Sequence, residues 1–123
     1  MKPWTDPEVT DQVAAFYAGL NDAASELLDA AIERLTEDGP TLGRPTVGEV
    51  DLSREDADAR HLFGSKLKEL RAGTSRVLFT FGPDRVPVLL YAGDKAGDWS
   101  RWYPPAIKEA AREYRAYLKD IGP

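Results

Sequence analysis

The densest set of side chains able to act on a phosphate lies between Ser65 and Tyr103. Lys66 and Lys68 stand two apart in S-K-L-K-E-L-R, so a strand there projects both from one face. Arg76 opens the next apolar run and Arg71 lies between. Ammonium groups held close repel one another, which favours the neutral amine and makes one of them a candidate general base. Guanidinium groups stay charged, so Arg71 and Arg76 can hold a phosphate and stabilise the added charge of a pentavalent transition state. Together such groups can cleave RNA without a metal. A base takes the 2′-hydroxyl proton, the oxygen attacks the adjacent phosphorus, and an acid protonates the departing 5′-oxygen. An ordinary solvent-facing strand, whose outward residues are often Lys and Arg, accounts for the same spacing.

A second cluster follows: Lys95, Trp99, Arg101, Trp102 and Tyr103. Trp99 and Trp102 fit either base stacking or plain packing before a C-terminal helix. Tyr103 adds a hydroxyl that can donate or position a proton, and Arg44 in T-L-G-R-P is a further phosphate contact or a turn residue. Other chemistries find little support. His61 is the single histidine, Asp56 and Asp58 have no partner at ligand spacing, and cysteine is absent, so no metal site is expected. No G-x-S-x-G, Walker A or G-x-G-x-x-G motif is present, which argues against a serine triad and a nucleotide cofactor.

Charge is unevenly spread. Residues 1–58 hold 14 acidic against 4 basic side chains, and residues 59–123 hold 12 basic against 7 acidic, so balances of −10 and +5 hide behind the net −5. A polyanion meets the local field rather than the net charge. The beginning, M-K-P-W-T-D-P-E, has no apolar core of a signal peptide, and the longest apolar run, Val86 to Ala92, contains Pro87. A cytoplasmic protein without a membrane span is expected.

These residues need a frame, and 123 residues at 42% hydrophobic content suit one domain over 1–123. Asp6-Pro7-Glu8 reads as a helix start, with Val9, Val13, Phe16 or Tyr17, and Leu20 at helical spacing. Gly19 to Asp22 breaks that helix and caps a second, whose Leu27/Leu28, Ala31/Ile32 and Leu35 form the inward stripe until Gly39-Pro40. Met1 to Thr5 is short for a strand, Thr46 to Leu52 suits a short one, and Ser53 to Arg60 reads as a loop or a helical turn. Strands are expected over Leu62 to Leu70, Arg76 to Phe81 and Val86 to Ala92, the last two joined by Gly-Pro-Asp-Arg. A loop from Gly93 to Trp102 then leads to a helix opened by Pro104-Pro105, with Ile107, Ala110/Ala111, Tyr114, Leu118 and Ile121 inward. The expected fold is α+β: a helical hairpin and a C-terminal helix covering one side of a small, mainly antiparallel sheet.

The order T-L-G-R-P, K-L-K-E-L-R, S-R-V-L-F-T-F, G-P-D-R, V-P-V-L-L-Y-A-G-D-K and W-x-R-W-Y before an amphipathic helix resembles the RelE/ParE superfamily of type II toxins, most of all its HigB-like branch. The likeness covers most of Thr41 to Leu118. It implies ribosome-dependent, metal-independent mRNA cleavage that blocks translation, with no cofactor, and a cognate antitoxin of helix-turn-helix type as partner. By that resemblance Lys66 and Lys68 match the paired cations of the active strand and Arg76 the arginine opening the next. Arg71 matches the arginine of L-K-E-L-R, Lys95 lies near a late basic position and Tyr103 near a late aromatic one. Catalysis would fall to Lys66, Lys68, Arg76 and Tyr103, and RNA binding to Arg71, Lys95, Arg101, Trp102 and Arg44. An Arg76→Ala variant is then expected to lose activity and keep its fold. The resemblance leaves open a ParE-like, non-catalytic gyrase inhibitor and a domain that only binds an antitoxin.

Overall fold

The computed structural model describes residues 7–83, 85–94 and 99–122. In chain order it contains β1 (Glu8–Val9), α1 (Asp11–Ala18), α2 (Asp22–Asp38), a 3-10 turn (Gly39–Thr41), β2 (Val47–Glu49), α3 (Ala57–Phe63), β3 (Lys68–Ala72), β4 (Ser75–Phe81), β5 (Pro87–Asp94) and α4 (Trp99–Ile121). The sheet order is β1-β5-β4-β3-β2, parallel only between β1 and β5. The α+β expectation holds, with a fifth, two-residue strand at one edge.

That strand displaces the expected helix start. The helix begins at Asp11 and its cap is Thr10, whose hydroxyl accepts from Val13 N–H at 3.3 Å. The Thr10 amide donates to the Leu89 carbonyl at 3.2 Å and its hydroxyl to the Leu90 carbonyl at 2.9 Å, which pins the segment along β5. Gln12 completes the edge, donating to the Ala92 carbonyl at 2.8 Å and accepting from the Ala92 amide at 2.7 Å. Asp6, the expected cap, lies outside the described residues, as do Met1 to Thr5 and Lys95.

The second helix begins where the sequence places it, with Asn21 capping Ala24 N–H at 2.8 Å. Leu28, Ala31 and Leu35 are buried, whereas Leu27, expected beside Leu28, is 52% exposed. Against the sheet they meet Leu70, Ala72, Val77, Phe79, Leu89 and Ala92. The other sheet face presents Leu67, Leu78, Val88 and Leu90 to Ala59 and Phe63 of α3 and to Ala106, Ile107, Ala110 and Ala111 of α4. Helices therefore cover both faces, not one. The reason is in β5, which is apolar on both faces, and in Leu78 of β4, which faces α4 beside it, so both sides must be covered.

In the segment 53–70 the helical-turn alternative holds for Ser53 to Arg60, while the strand expected from Leu62 does not begin there. Asp56 caps Ala59 N–H at 2.9 Å and starts α3, which Gly64 ends at φ 58°. Ala59 and Phe63, four apart, bury against α4, where Phe63 stacks on Tyr114 at 5.5 Å. Leu62 and Phe63 thus belong to a helix, and β3 starts only at Lys68. In β5, the register passes from Leu78↔Tyr91 to Phe79↔Leu89, a bulge at Leu90 that turns both Leu90 and Tyr91 toward α4. The last helix begins at Trp99, five residues ahead of Pro104-Pro105, and holds both prolines near its start. No helix among the described residues is long and apolar enough to cross a membrane.

Candidate active site

Strand pleating decides which side chains of β3 meet. Leu70 and Ala72 point to α2, so Glu69 and Arg71 point to α4. On β4 the same alternation sends Val77 to α1–α2 and Arg76 to the α4 side, directly across from Arg71. The turn of α4 nearest this spot brings Tyr103. At the centre lies Glu69, only 3% exposed. One carboxylate oxygen accepts from the Tyr103 hydroxyl and has Arg76 Nε at 3.9 Å. The other accepts from Arg71 Nε at 3.2 Å. Such pairing is what permits a buried carboxylate.

Arg76 is 8% exposed, and its Nη1 donates to the carbonyls of Gly73 at 2.8 Å and Ser75 at 2.9 Å. Arg71 is more open and lies over Gly48, the cross-strand partner of Glu69. A β-carbon on Gly48 would sit 2.4 Å from the Arg71 guanidinium. Burial, followed by the hydrogen bond to Glu69 and its charge, pushes the Tyr103 phenol well above its usual 10.0, against the pull of both arginines. Glu69, Arg71 and Tyr103 line a cleft of about 510 Å³ together with Ile107 and Pro104 and the rim residues Glu49, Asp51, Arg54 and Glu55.

The remaining expected site residues fall elsewhere. Lys66 precedes β3; its amide bonds the Phe63 carbonyl at 2.9 Å, and it lines a separate depression with Leu62, Phe81 and Tyr114. Lys68 stands on the α2 face of β3, 4.0 Å from Glu49, in a third cleft beside Gly43 and Arg44. The expectation that both lysines project from one strand face is therefore corrected. The strand begins at Lys68, and Lys66 belongs to the turn leaving α3. Arg101 is exposed on α4. Trp102 packs, with its ring 6.1 Å from Tyr91 and 5.3 Å edge-on to Tyr103. Its indole covers Gly93, where a β-carbon would lie 2.3 Å from the ring nitrogen. Gly93→Ala is accordingly expected to lift Trp102 and with it Tyr103. The cost is about 1–3 kcal/mol, to be read as a lowered unfolding midpoint with a shifted tryptophan emission; an unchanged midpoint would contradict the contact.

Glu69 is the residue that reading from charge and motif missed. The signal was present: in K-E-L-R, strand alternation places Glu69 with Arg71 and apart from Lys68. Among the described residues no three His, Asp or Glu side chains are grouped as metal ligands.

Comparison with known proteins bears on the family and the fold. Residues 15–115 match the family described as phage derived protein Gp49-like (DUF891). The chain is 46% identical over 109 residues to the Mycobacterium tuberculosis protein named "Putative toxin HigB3", covering 87% of this chain and 88% of that one. It is 39% identical over 113 residues to "Putative toxin HigB2" of the same organism, covering 88% of this chain and 52% of that protein, so it spans about half of that relative. In fold it is similar to a chain of the archaeal RelE-RelB complex from Pyrococcus horikoshii, with a TM-score of 0.56 at 16% identity over 80% of this chain and all of that one. The match over most of the chain, and the α-helices on both faces of a five-stranded, mostly antiparallel sheet, lead to one conclusion: the fold is RelE-like, and this chain is a member of the Gp49-like family of HigB-like toxins.

Proposed function

We propose that the protein is the toxin of a type II toxin–antitoxin pair and blocks translation as an mRNA endoribonuclease that cuts RNA presented on the ribosome, without a metal. The observation that carries this reading is the convergence of Arg71, Arg76 and Tyr103 on one buried carboxylate at the floor of the 510 Å³ cleft. A guanidinium and a phenol facing the same cleft can hold a phosphodiester and move a proton beside it. Arg71, the more open of the two arginines, takes the non-bridging oxygens, and Arg76 supports it from behind. Lys66, Lys68, Arg44 and Arg101, all outside the cleft, serve as contacts to flanking phosphates, and Lys95 joins them by resemblance. Trp102 supports Tyr103 by packing.

The partner that neutralises such a toxin is an antitoxin; the structural relative above is itself described as part of a RelE-RelB complex. The deciding experiment is primer extension on an mRNA in a reconstituted translation system, with and without ribosomes. Cuts that need the ribosome are expected. Intact mRNA at full toxin occupancy would overturn the reading, and a gyrase supercoiling assay would then test the ParE-like alternative. Silence in both would leave antitoxin binding as the activity to measure.

A further inference from the structure

We propose that Glu69 is a positioning residue that draws the proton of the nucleophile out of the cleft through Tyr103. This rests on the endoribonuclease reading above and deepens it. Glu69 lies at the cleft floor at only 3% exposure, with its Oε1 already taken by the Tyr103 hydroxyl and its Oε2 by Arg71. Tyr103 in turn lines the cleft. A phenol whose hydrogen is committed to a carboxylate turns its oxygen lone pairs outward as acceptors. Neither Lys66 nor Lys68 lines this cleft, so the lysines supply no base there.

The burial of the Glu69 charge also calls for a reason. Well-packed apolar residues often hold such a position at no loss of stability, so a buried carboxylate clamped by two arginines is not needed for packing. Tyr103 is not a base on its own, because its environment holds the phenol proton more tightly than usual. It can accept a proton only while giving one up.

The step balances as follows. The substrate 2′-hydroxyl proton passes to Tyr103 Oη as the Tyr103 proton passes to Glu69 Oε1. The 2′-oxygen bonds to phosphorus, the bond from phosphorus to the 5′-oxygen breaks, and the departing oxygen takes a proton from water. The products are a 2′,3′-cyclic phosphate and a 5′-hydroxyl, and Glu69 returns its proton to solvent through Tyr103. Arg71, bonded to the other Glu69 oxygen, stays in place beside the phosphate.

The test uses single-turnover cleavage of ribosome-bound mRNA by the whole protein, with Glu69→Gln, Tyr103→Phe and the double variant. Glutamine keeps the size of Glu69 and one acceptor oxygen for the Tyr103 hydroxyl, but it removes the charge and gives up the acceptor that holds Arg71. The wild type is expected to cut, and each single variant to lose roughly 10²–10⁴-fold in rate with half-saturating ribosome concentration unchanged. The double variant should lose no more than the worse single, because the two residues act in series. A folded Glu69→Gln variant at wild-type rate, or a double variant with additive losses, would overturn the inference while leaving the endoribonuclease reading intact. A wild type that does not cut would instead overturn that reading and this step with it. Should Glu69→Gln fail to fold, the wild-type rate in mixed light and heavy water decides. A curved dependence on deuterium fraction supports two protons in flight, and a linear one overturns the relay.

Discussion

Replacing Arg76 by alanine is expected to lower stability by about 3–5 kcal/mol, and not only to abolish activity. From sequence, Arg76 is a cation that can be removed from an intact fold; its surroundings revise that. The side chain is 8% exposed, its Nη1 bridges the Gly73 and Ser75 carbonyls of the β3–β4 turn, and its Nε faces the buried Glu69 carboxylate at 3.9 Å. Alanine strips two carbonyls of a donor and leaves a buried charge with one guanidinium fewer. Breaking a buried pair from one side is costly because the remaining charge stays out of water. Chemical denaturation with an unchanged slope and a lowered midpoint would record the effect. A change below about 1 kcal/mol would show that Arg76 is compensated and restore the reading in which it serves activity alone.

Arg71→Ala should separate the other way, with cleavage down by about 10²–10³-fold and stability changed by about 1 kcal/mol or less. Arg71 is a third exposed, so its pair with Glu69 is screened by solvent, and Glu69 keeps Tyr103 and Arg76. What is lost, among the described residues, is the one guanidinium that both lines the cleft and touches the central carboxylate. Lysine should not rescue it, since an ammonium lacks the planar fork that bonds Glu69 on one side and a phosphate on the other. Arg71→Ala and Arg71→Lys assayed by single-turnover cleavage beside thermal melting test this. Wild-type cleavage by either variant would remove Arg71 from the phosphate contact and move it to Lys66 or Lys68.

Taken together, the two arginines show how adjacent cations of one strand pair divide their work by depth. Arg76, against the turn, is structural support for the carboxylate; Arg71, laid over Gly48, faces the cleft. The glycine matters because any side chain there would occupy the space of the guanidinium.

The sequence by itself determined the parts that depend on neighbours three or four residues away. The cap at Asn21, the buried stripe of Leu28, Ala31 and Leu35, the alternation through β4 and the amphipathic α4 all follow from local periodicity, which survives whatever else the chain packs against. The family likeness was legible for the same reason, in ordered short motifs between Thr41 and Leu118. Tertiary structure alone decided three things. It started α1 at Thr10 rather than Asp6, because the chain first had to satisfy the open edge of β5. It carried the expected helical turn on to Phe63, in place of a strand from Leu62, because Ala59 and Phe63 meet α4. And it separated Lys66 from Lys68 while gathering Arg71, Arg76 and Tyr103 around Glu69. The position at which a strand begins, and which face its neighbour covers, are set by pairing between distant segments. Shifting that start past one lysine was enough to part the two expected partners and leave a buried glutamate at the centre.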